Sequence, residues 1–417
     1  MSNLALKAAK QRVQRKLQPP GKADIVLGKD YDGLTSEGGR RSFQTIGAAA
    51  LETRRQPECF KFSQMTTVFL TGVTGFIGGA TAAELLADPR VERLVALVRG
   101  RDLAHAEERT KRSLARFGVR GNGQKRLSVI CGSMADFCMD GDTLRNLTHV
   151  IHAAAHTSFL SIRTARETNI KGTEAIIAAT FRAPKLERFL FVSTAYRCGA
   201  ISESVIHEDF PPGNVHVAEY TKTKARAEAI VERQRDLPFL IARPSIVIGH
   251  SRLGVTPSAS LYWYYLALAR AGIAPFPASR RRDIVPADWV AATLTQLLFH
   301  KSLQYHCYHL SAGETSSVSW GSIHRIFATH GQAPISTQYV EASALPAHPA
   351  WSALGLETKA QLAIQACAKF SALQIEVFSN QRLLQAGFAP PPPFSSYLPR
   401  CIETYEATLN TSALDDA

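Results

Sequence analysis

A tyrosine and a lysine four residues apart could carry proton-transfer chemistry. Tyr220 and Lys224 lie in the stretch YTKTKARAEAIVE, which has the composition of a helix, and residues four apart share one helical face. The ammonium would lower the pKa of the phenol by favouring phenolate, and it could also bond to a cofactor ribose. A tyrosine so placed can act as a general acid, donating a proton to a carbonyl oxygen as hydride arrives. Lys222 is only two residues from Tyr220 and lies off that face.

A pair of hydroxyl side chains precedes this helix in the sequence. Ser193 and Thr194 follow the apolar run Phe189 to Val192, which is typical of a buried strand. The carboxyl ends of parallel strands form the edge of the sheet where cofactors and substrates bind. One of the two hydroxyls is therefore expected to hold a substrate carbonyl beside Tyr220.

A glycine-rich turn would position a cofactor. TGVTGFIGG, residues 71–79, follows the apolar run Thr67 to Leu70 and leads into the helical pattern Phe76 to Leu86. Glycines let the backbone turn sharply and approach a pyrophosphate, and the free N–H groups of the helix N-terminus face the phosphates. A glycine-rich turn can also simply join a strand to a helix. The residues expected at the cofactor are Thr71, Gly72, Thr74, Gly75, Phe76, Ile77 and Gly78.

The end of the second strand indicates which dinucleotide binds. The stretch LVALVRG begins at Leu94 and contains Arg99 at its end. At this place an acidic residue bonds to the 2′-hydroxyl of NAD, whereas an arginine accommodates the 2′-phosphate of NADP. No acid occurs there and Arg101 is close by, so the sequence favours NADPH. In the alternative, Arg99 is an ordinary surface charge that closes a strand.

An α/β sheet must position these groups. From residue 66, short apolar runs alternate with longer amphipathic segments, which predicts a Rossmann-type, doubly wound parallel sheet with helices on both faces. The predicted strands are Thr66–Leu70, Leu94–Val98, Leu127–Ile130, Val150–Ala153, Phe189–Val192 and Phe239–Ile241. The rhythm then changes, with helices predicted at 258–270 and 290–299 and a loop in the proline run 389–393. We therefore predict a basic N-terminal extension at 1–63, an NAD(P)-binding domain with the catalytic residues at 64–250, and a smaller mixed substrate-binding cap at 251–417.

The composition narrows the function classes. The chain has 417 residues, a formal net charge of +13 and no long uncharged apolar stretch, so a transmembrane helix is not expected. The start of the sequence does not have the pattern of a secretory signal, and the seven cysteines lack a metal-ligand spacing, which predicts a cytoplasmic protein without a metal site. The charge favours acidic partners, although nothing indicates nucleic acid binding. A basic amphipathic helix predicted at Ala5–Leu17 is a candidate for contact with a partner or a membrane surface.

Several motifs occur together in the order found in one enzyme superfamily. With the glycine turn and YTKTK, the stretches HAAAHTSF, NIKGT, VSTAY and RPSIVIG resemble the extended short-chain dehydrogenases/reductases; they begin at His152, Asn169, Val192 and Arg243. VSTAY, RPSIVIG and DIVPADWVA, which begins at Asp283, look like the fatty acyl-CoA reductase and thioester reductase branch, often called male-sterility-type NAD-binding domains. The resemblance covers residues 66–400 and omits the extension.

The resemblance implies a role for each matching residue. Thr194 is the active hydroxyl, because the family's hydroxyl stands second in the pair, and Tyr220 is the acid. Lys224 binds the nicotinamide ribose, Arg99 binds the 2′-phosphate, and Gly72, Gly75 and Gly78 bind the pyrophosphate. The remaining cofactor contacts are Ala153, Pro244 and Ser245. One departure is the turn at 131–134, CGSM, where the family usually has Gly-Asp against the adenine.

The reaction that the resemblance implies is NADPH-dependent reduction of an acyl thioester, carried by coenzyme A or an acidic acyl carrier protein, to an aldehyde or alcohol in lipid metabolism. Alternatives within enzymology are a ketone or hydroxy-group oxidoreductase acting on 3-hydroxysteroid-like substrates, or a nucleotide-sugar epimerase or dehydratase. A third alternative is a non-catalytic dinucleotide-sensing protein. Against it stand Thr194, Tyr220 and Lys224, since binding alone needs only the glycine turn.

Further side chains have two interpretations each. Tyr262 to Tyr265 would line an acyl pocket or pack between the two lobes. Arg280 to Arg282 would bind coenzyme A phosphates or an acidic carrier, or form a solvated basic loop. Cys198 lies near the predicted active hydroxyl, but hydride transfer to a thioester needs no nucleophile. His152 and His156 are interpreted as structural histidines rather than ligands.

Overall fold

Seven parallel strands form one sheet in the part of the chain that the structure describes. This computed structural model describes residues 66–157, 161–201, 203–213, 215–257, 261–354, 358–371, 373 and 375–409; the extension and its predicted helix Ala5–Leu17 lie outside them. The strands are β1 (Thr67–Thr71), β2 (Arg93–Val98), β3 (Leu127–Cys131), β4 (Leu147–His152), β5 (Arg188–Val192), β6 (Phe239–Pro244) and β7 (Cys307–Leu310). Their spatial order is β7-β6-β5-β4-β1-β2-β3. The order reverses between β1 and β4, which confirms the predicted doubly wound fold.

Burial on both faces explains the apolar strands. Every residue of β1 and of β4 is buried, as expected when helices cover a parallel sheet on both sides. All six predicted strands are present; β4 begins earlier than predicted, at Leu147, and β6 continues to Pro244. The polar residues that follow β1, β2, β4, β5 and β6 consequently come to one edge of the sheet.

Helices cover both faces of the sheet, and others belong to the C-terminal region. In the described residues they are α1 (Phe76–Ala87), α2 (Leu103–Ala115), α3 (Gly141–Asn146), α4 (Ile162–Ala165), α5 (Gly172–Thr180), α6 (Glu219–Glu232), α7 (Leu261–Ala271), α8 (Ala287–Phe299), α9 (Gly313–Ser316), α10 (Trp320–Thr329), α11 (Ala350–Ala353), α12 (Thr358–Ser371), α13 (Gln381–Gln385) and α14 (Phe394–Leu409). A π-helical segment, Arg166–Lys171, joins α4 to α5, and short 3-10 turns occur at Gly121–Gln124, Met134–Asp136, Ala195–Cys198 and Leu345–Ala347. Apolar residues of α1, α2 and α8 share one core with the sheet, and those of α5 and α6 share the core on its other face.

The predicted boundary at residue 250 does not separate the sheet from the remainder of the chain. Strand β7 pairs in parallel with β6, Cys307 opposite Ile241 and Leu310 opposite Pro244, and α8 packs against α1. The four-residue strand was missed because so short an apolar run has no periodicity of its own. Residues beyond 250 therefore supply both a strand and a covering helix to the nucleotide-binding fold.

The remaining C-terminal residues, together with short segments from between the sheet strands, form a mixed region with an aromatic core. The tyrosines Tyr262, Tyr264 and Tyr265 are buried there with Trp320 and Phe327, which favours the packing interpretation of the aromatic helix. Paired two-residue strands complete this region: Val205–Ile206 with Val377–Phe378, Ile246–Val247 with Ile284–Val285, Ile273–Ala274 with Gln338–Tyr339, and Arg281–Arg282 with Val318–Ser319. Among the described helices, none combines the length and hydropathy needed to cross a bilayer.

Candidate active site

The glycine turn lies tightly against the neighbouring strand ends. Gly72 has φ +86°, and a Cβ placed on it would lie 2.7 Å from the backbone nitrogen of Ala154. A Cβ on Gly78 would lie 2.0 Å from the carbonyl oxygen of Gly72. The Gly75 N–H donates to that same oxygen at 2.9 Å, and α1 begins directly after Gly75. These contacts require glycine, and they leave the N-terminus of α1 facing the sheet edge as a dinucleotide pyrophosphate needs.

Buried hydrogen bonds connect the turn to the end of β4. Thr71 Oγ1 lies 2.7 Å from His152 Nδ1 and accepts from the Ala154 N–H at 3.1 Å. His152 Nε2 lies 3.0 Å from Thr173 Oγ1, whose hydroxyl donates to the carbonyl of Asn169. The set is satisfied when Nε2 carries the imidazole proton and Thr71 donates to Nδ1. Burial, with the Lys224 charge adding to it, lowers the pKa of His152 to about 3, so this histidine is a neutral structural group.

Asn169 extends these contacts to helix α6. Its side chain accepts from the His156 N–H at 2.7 Å and donates to the His156 carbonyl at 3.1 Å and to Thr223 Oγ1 at 2.9 Å. Thr223 in turn donates to the carbonyl of Tyr220. In the sequence, Asn169 stands out only as the start of the motif NIKGT, with no predicted site role; its place in a π-helical segment, often a functional feature, appears only in the structure.

Tyr220 lies half-buried in the first turn of α6, near the Thr194 hydroxyl. Desolvation raises the pKa of Tyr220 to about 12, and the interaction with Thr194 opposes this increase. The predicted lowering by Lys224 is wrong, because the dominant influence is desolvation of the phenolate and the lysine binds elsewhere. A phenol with this pKa is protonated at neutral pH and is therefore ready to donate.

Lys224 is buried at the carboxyl end of β5. Its Nζ donates to the Val192 carbonyl at 2.6 Å and lies 4.1 Å from the ring centroid of Phe191. Burial lowers the pKa of Lys224 to about 7, and the charge of Glu228 opposes the decrease. The ammonium has three donors, so others remain for a ribose or a phenolate.

The two hydroxyls after β5 have different surroundings. Thr194 is buried, accepts from the Tyr196 N–H at 3.3 Å, donates to the Pro244 carbonyl at 3.5 Å and lies near Tyr220. Ser193 Oγ is also buried but has no hydrogen-bond partner among the described residues. The structure therefore brings Thr194, rather than Ser193, to the tyrosine.

The other predicted cofactor residues lie at the same edge of the sheet. Arg99 directly follows β2 and is exposed, and its charge contributes to lowering the pKa of His156, after the larger effect of burial. The Ala153 N–H donates to the Thr71 carbonyl at 3.3 Å. Pro244 ends β6, and the Ser245 N–H donates to the Leu310 carbonyl at 3.0 Å.

A buried ion cluster anchors α6 to the sheet, and sequence reasoning missed it. The Glu228 carboxylate accepts from Arg243 Nη2 at 2.5 Å and Nε at 3.1 Å, and Arg197 Nε lies 2.9 Å from the same carboxylate. All three side chains are at least nine-tenths buried. The available signal was the spacing of Glu228, four residues after Lys224, which places both on one face of α6.

We expect Glu228→Gln to lower the free energy of unfolding by about 3 kcal/mol, because it leaves two buried guanidinium groups without a counter-charge. Urea unfolding followed by far-UV circular dichroism measures this. The control is Glu167→Gln, which breaks an exposed pair with Arg163 and should cost less than about 0.5 kcal/mol. Equal losses of unfolding free energy in the two variants would contradict the role of Glu228 in anchoring α6 to the sheet.

Metal and covalent chemistry lack support in the described residues. No group of histidine, cysteine and acidic side chains there could hold a metal ion. Burial raises the pKa of Cys198 to about 12, so this thiol is a poor nucleophile at neutral pH. Proton transfer at Tyr220 is the chemistry that the arrangement favours.

Comparisons with known proteins agree with this architecture. A family profile described as male sterility protein, NAD-binding, matches residues 70–294. The aldehyde reductase lnaA of Aspergillus flavus is 26% identical over 249 residues, 55% of this chain and 24% of that protein. The putative fatty acyl-CoA reductase CG8303 of Drosophila melanogaster is 26% identical over 310 residues, 62% of this chain and 57% of that protein.

A solved structure extends the likeness to most of the fold. The terminal R domain of the myxalamid PKS-NRPS biosynthetic pathway superposes with a TM-score of 0.71 at 20% identity, covering 84% of this chain and 93% of that domain. At this identity the likeness concerns the fold. The chain spans about a quarter of the fungal aldehyde reductase, 24% of its length, so most of that protein has no counterpart here.

Proposed function

Because the chain belongs to the male sterility protein family of NAD-binding oxidoreductases, we propose that it reduces an acyl thioester with NADPH, giving an aldehyde or alcohol. The observation that carries the proposal is the placement of Tyr220 on α6, near enough to the Thr194 hydroxyl for its pKa to be affected, together with buried Lys224, which binds the end of β5 at the sheet edge that also bears the glycine turn. The names of two relatives, aldehyde reductase and putative fatty acyl-CoA reductase, support the same reaction class.

In the proposed reaction, each side chain has one task. The N–H groups at the start of α1 bind the pyrophosphate, and bound NADPH supplies the hydride. As hydride adds to the thioester carbonyl carbon, Tyr220 gives its phenolic proton to the carbonyl oxygen, and Thr194 orients that oxygen. The C–S bond of the resulting hemithioacetal then breaks, which releases a thiol and leaves an aldehyde. Lys224 stabilises the phenolate from the same face of α6.

A product assay tests the proposal. Purified protein is mixed with NADPH and an acyl-CoA, and oxidised cofactor, free thiol and aldehyde or alcohol are measured together. The proposal requires the amount of thiol released to equal the amount of cofactor oxidised in the first reduction, from thioester to aldehyde. Turnover only with ketones or nucleotide sugars would replace it by one of the alternative enzyme activities, and cofactor binding without any turnover would favour a sensing protein.

Arg99 is proposed to select NADPH over NADH. We expect Arg99→Ala to raise the KM for NADPH roughly tenfold or more, because a charge-assisted hydrogen bond to the 2′-phosphate is lost, and to leave the KM for NADH unchanged. Initial rates with each cofactor measure both constants. Arg101→Ala is the neighbouring control; a larger loss there than in Arg99→Ala would reassign the phosphate contact.

The rate should fall above neutral pH if Lys224 acts as a cation. Its pKa of about 7 means that it is protonated below this pH and loses its charge above it. We expect kcat/KM for NADPH, which reports the free enzyme, to fall about tenfold per unit well above the pKa. Rates from about pH 6 to about pH 9 test this, with Lys222→Met as a control that keeps the profile. A flat profile would show that the charge on Lys224 is not required.

A further inference from the structure

A small recess, filled by its own lining side chains, lies within the aromatic core of the mixed region. It is lined by Tyr196, Ile246, Tyr265, Arg282, Phe370 and Ile375, among others. Tyr196 stands two residues after Thr194, and its N–H donates to the Thr194 hydroxyl. Ile246 directly follows Ser245, which is predicted to lie near the nicotinamide. The recess is thus lined in part by residues that closely follow Thr194 and Ser245 in the chain.

Arg282 gives this recess, whose lining is otherwise aliphatic and aromatic apart from Ser371, a buried positive charge. The side chain is 5% exposed, its guanidinium carbon lies 4.0 Å from the ring centroid of Phe276, and Nη2 makes one long hydrogen bond, 3.4 Å, to the Ser371 carbonyl. Within the described part of the chain, Nε is buried and has no hydrogen-bond partner. No carboxylate among the described residues forms an ion pair with it.

The two preceding arginines differ from Arg282. Arg280 forms an ion pair with Glu376 at 3.4 Å, and Arg281 donates to the backbone carbonyls of Glu314 and Ser317 near the surface. From the sequence, the three arginines are interpreted together, either as a site for phosphates or an acidic carrier or as a solvated loop. Neither interpretation describes all three, because only Arg282 lines the recess.

The neighbouring acid, Asp283, forms no ion pair with Arg282 and directs both carboxylate oxygens to backbone N–H groups. Asp283 Oδ1 accepts from the Ala312 N–H at 2.7 Å and Oδ2 accepts from the Phe378 N–H at 2.9 Å. A guanidinium is always charged and carries five donors, and burying it with unused donors is costly. A ligand that brings a planar anion would remove that cost, since guanidinium and carboxylate form paired, charge-assisted hydrogen bonds.

We propose that the recess binds an acyl group that carries a carboxylate, with Arg282 as its partner. This inference rests on the proposed function and names its substrate class: thioesters of dicarboxylic acids or of similar acids with a second, anionic end. The apolar walls contact the intervening methylene groups. The recess has no open space for a water-sized group, so entry of the carboxylate requires Phe370 or another lining side chain to shift.

Matched thioester pairs test the proposal. Release of free thiol with NADPH is compared for glutaryl-, adipoyl- and suberoyl-CoA and for the methyl-terminated pentanoyl-, hexanoyl- and octanoyl-CoA. The wild type should prefer the anionic member of at least one pair about tenfold or more in kcat/KM. Arg282→Met should lower kcat/KM for that member about 30-fold and leave the neutral member within about threefold, as expected for one charge-assisted contact. Arg281→Met is the matched control and should keep the preference.

Other outcomes are decisive as well. No preference in the wild type overturns the inference, as does an equal loss on both members of a pair in Arg282→Met, which would place the contact on coenzyme A. If Arg282→Met does not fold, the wild-type preference and the Arg282→Lys variant test the inference instead. A preference for the anionic thioester that Arg282→Lys leaves unchanged also overturns it.

If no thioester is reduced, the proposed function fails. Calorimetric titration with adipate then tests the carboxylate site separately from the reaction: binding that is lost in the Arg282 variants supports the site, and absence of binding to the wild type overturns it.

Discussion

Tyr220→Phe is expected to lower kcat about 10³-fold, since a general acid contributes between about 10² and 10⁴. The substitution removes one oxygen atom and keeps the aromatic ring. The phenol is neutral at pH 7, as its pKa is raised to about 12, so its role is to donate a proton at the moment of hydride addition. NADPH affinity, measured by fluorescence titration, should stay within about twofold of the wild type, because a contact used only in the transition state does not change binding.

Tyr339→Phe is the control for this variant. Its hydroxyl is on the surface and donates to Glu341 at 2.9 Å, so its loss should leave both kcat and affinity unchanged. Full activity of Tyr220→Phe would reject the proposed acid and direct attention to Thr194. Loss of NADPH affinity together with kcat would instead show that Tyr220 helps to form the cofactor site.

Gly72→Ala is expected to destabilise the glycine turn and to weaken NADPH binding by roughly 100-fold or more. The new methyl group would meet the Ala154 nitrogen at 2.7 Å, and the residue would be held at φ +86°. The backbone conformation costs about 1 to 2 kcal/mol, and the overpacking adds about 1 to 3 kcal/mol. Thermal unfolding measures the stability loss, and fluorescence titration with NADPH measures the affinity.

Gly118→Ala separates these two causes. Gly118 has φ +79°, but a Cβ there meets nothing within 4 Å. This variant should therefore show the conformational cost alone, about 1 to 2 kcal/mol, with unchanged NADPH affinity. If Gly72→Ala binds NADPH as well as Gly118→Ala does, the turn does not approach the cofactor as proposed.

The sequence alone determined the features that depend on local order. A glycine at every third position needs no distant partner to indicate a strand-turn-helix unit, and the Tyr220 and Lys224 spacing defines a helical face wherever that helix lies. The six apolar runs likewise predicted their strands, because a strand that is buried on both faces has a continuous apolar pattern. The doubly wound fold followed from their alternation with helices.

Tertiary structure decided the features that depend on residues far apart in the chain. Strand β7 forms by pairing with the edge of β6. Its own four residues are too few to predict a strand. The pKa of Tyr220 rises and that of Lys224 falls because packing removes water from both, an effect that spacing cannot indicate. Arg280 to Arg282 read as one basic run in the sequence, yet each meets different neighbours once folded. Local pattern predicts which elements form, whereas desolvation and pairing depend on the contacts that the fold assembles between them.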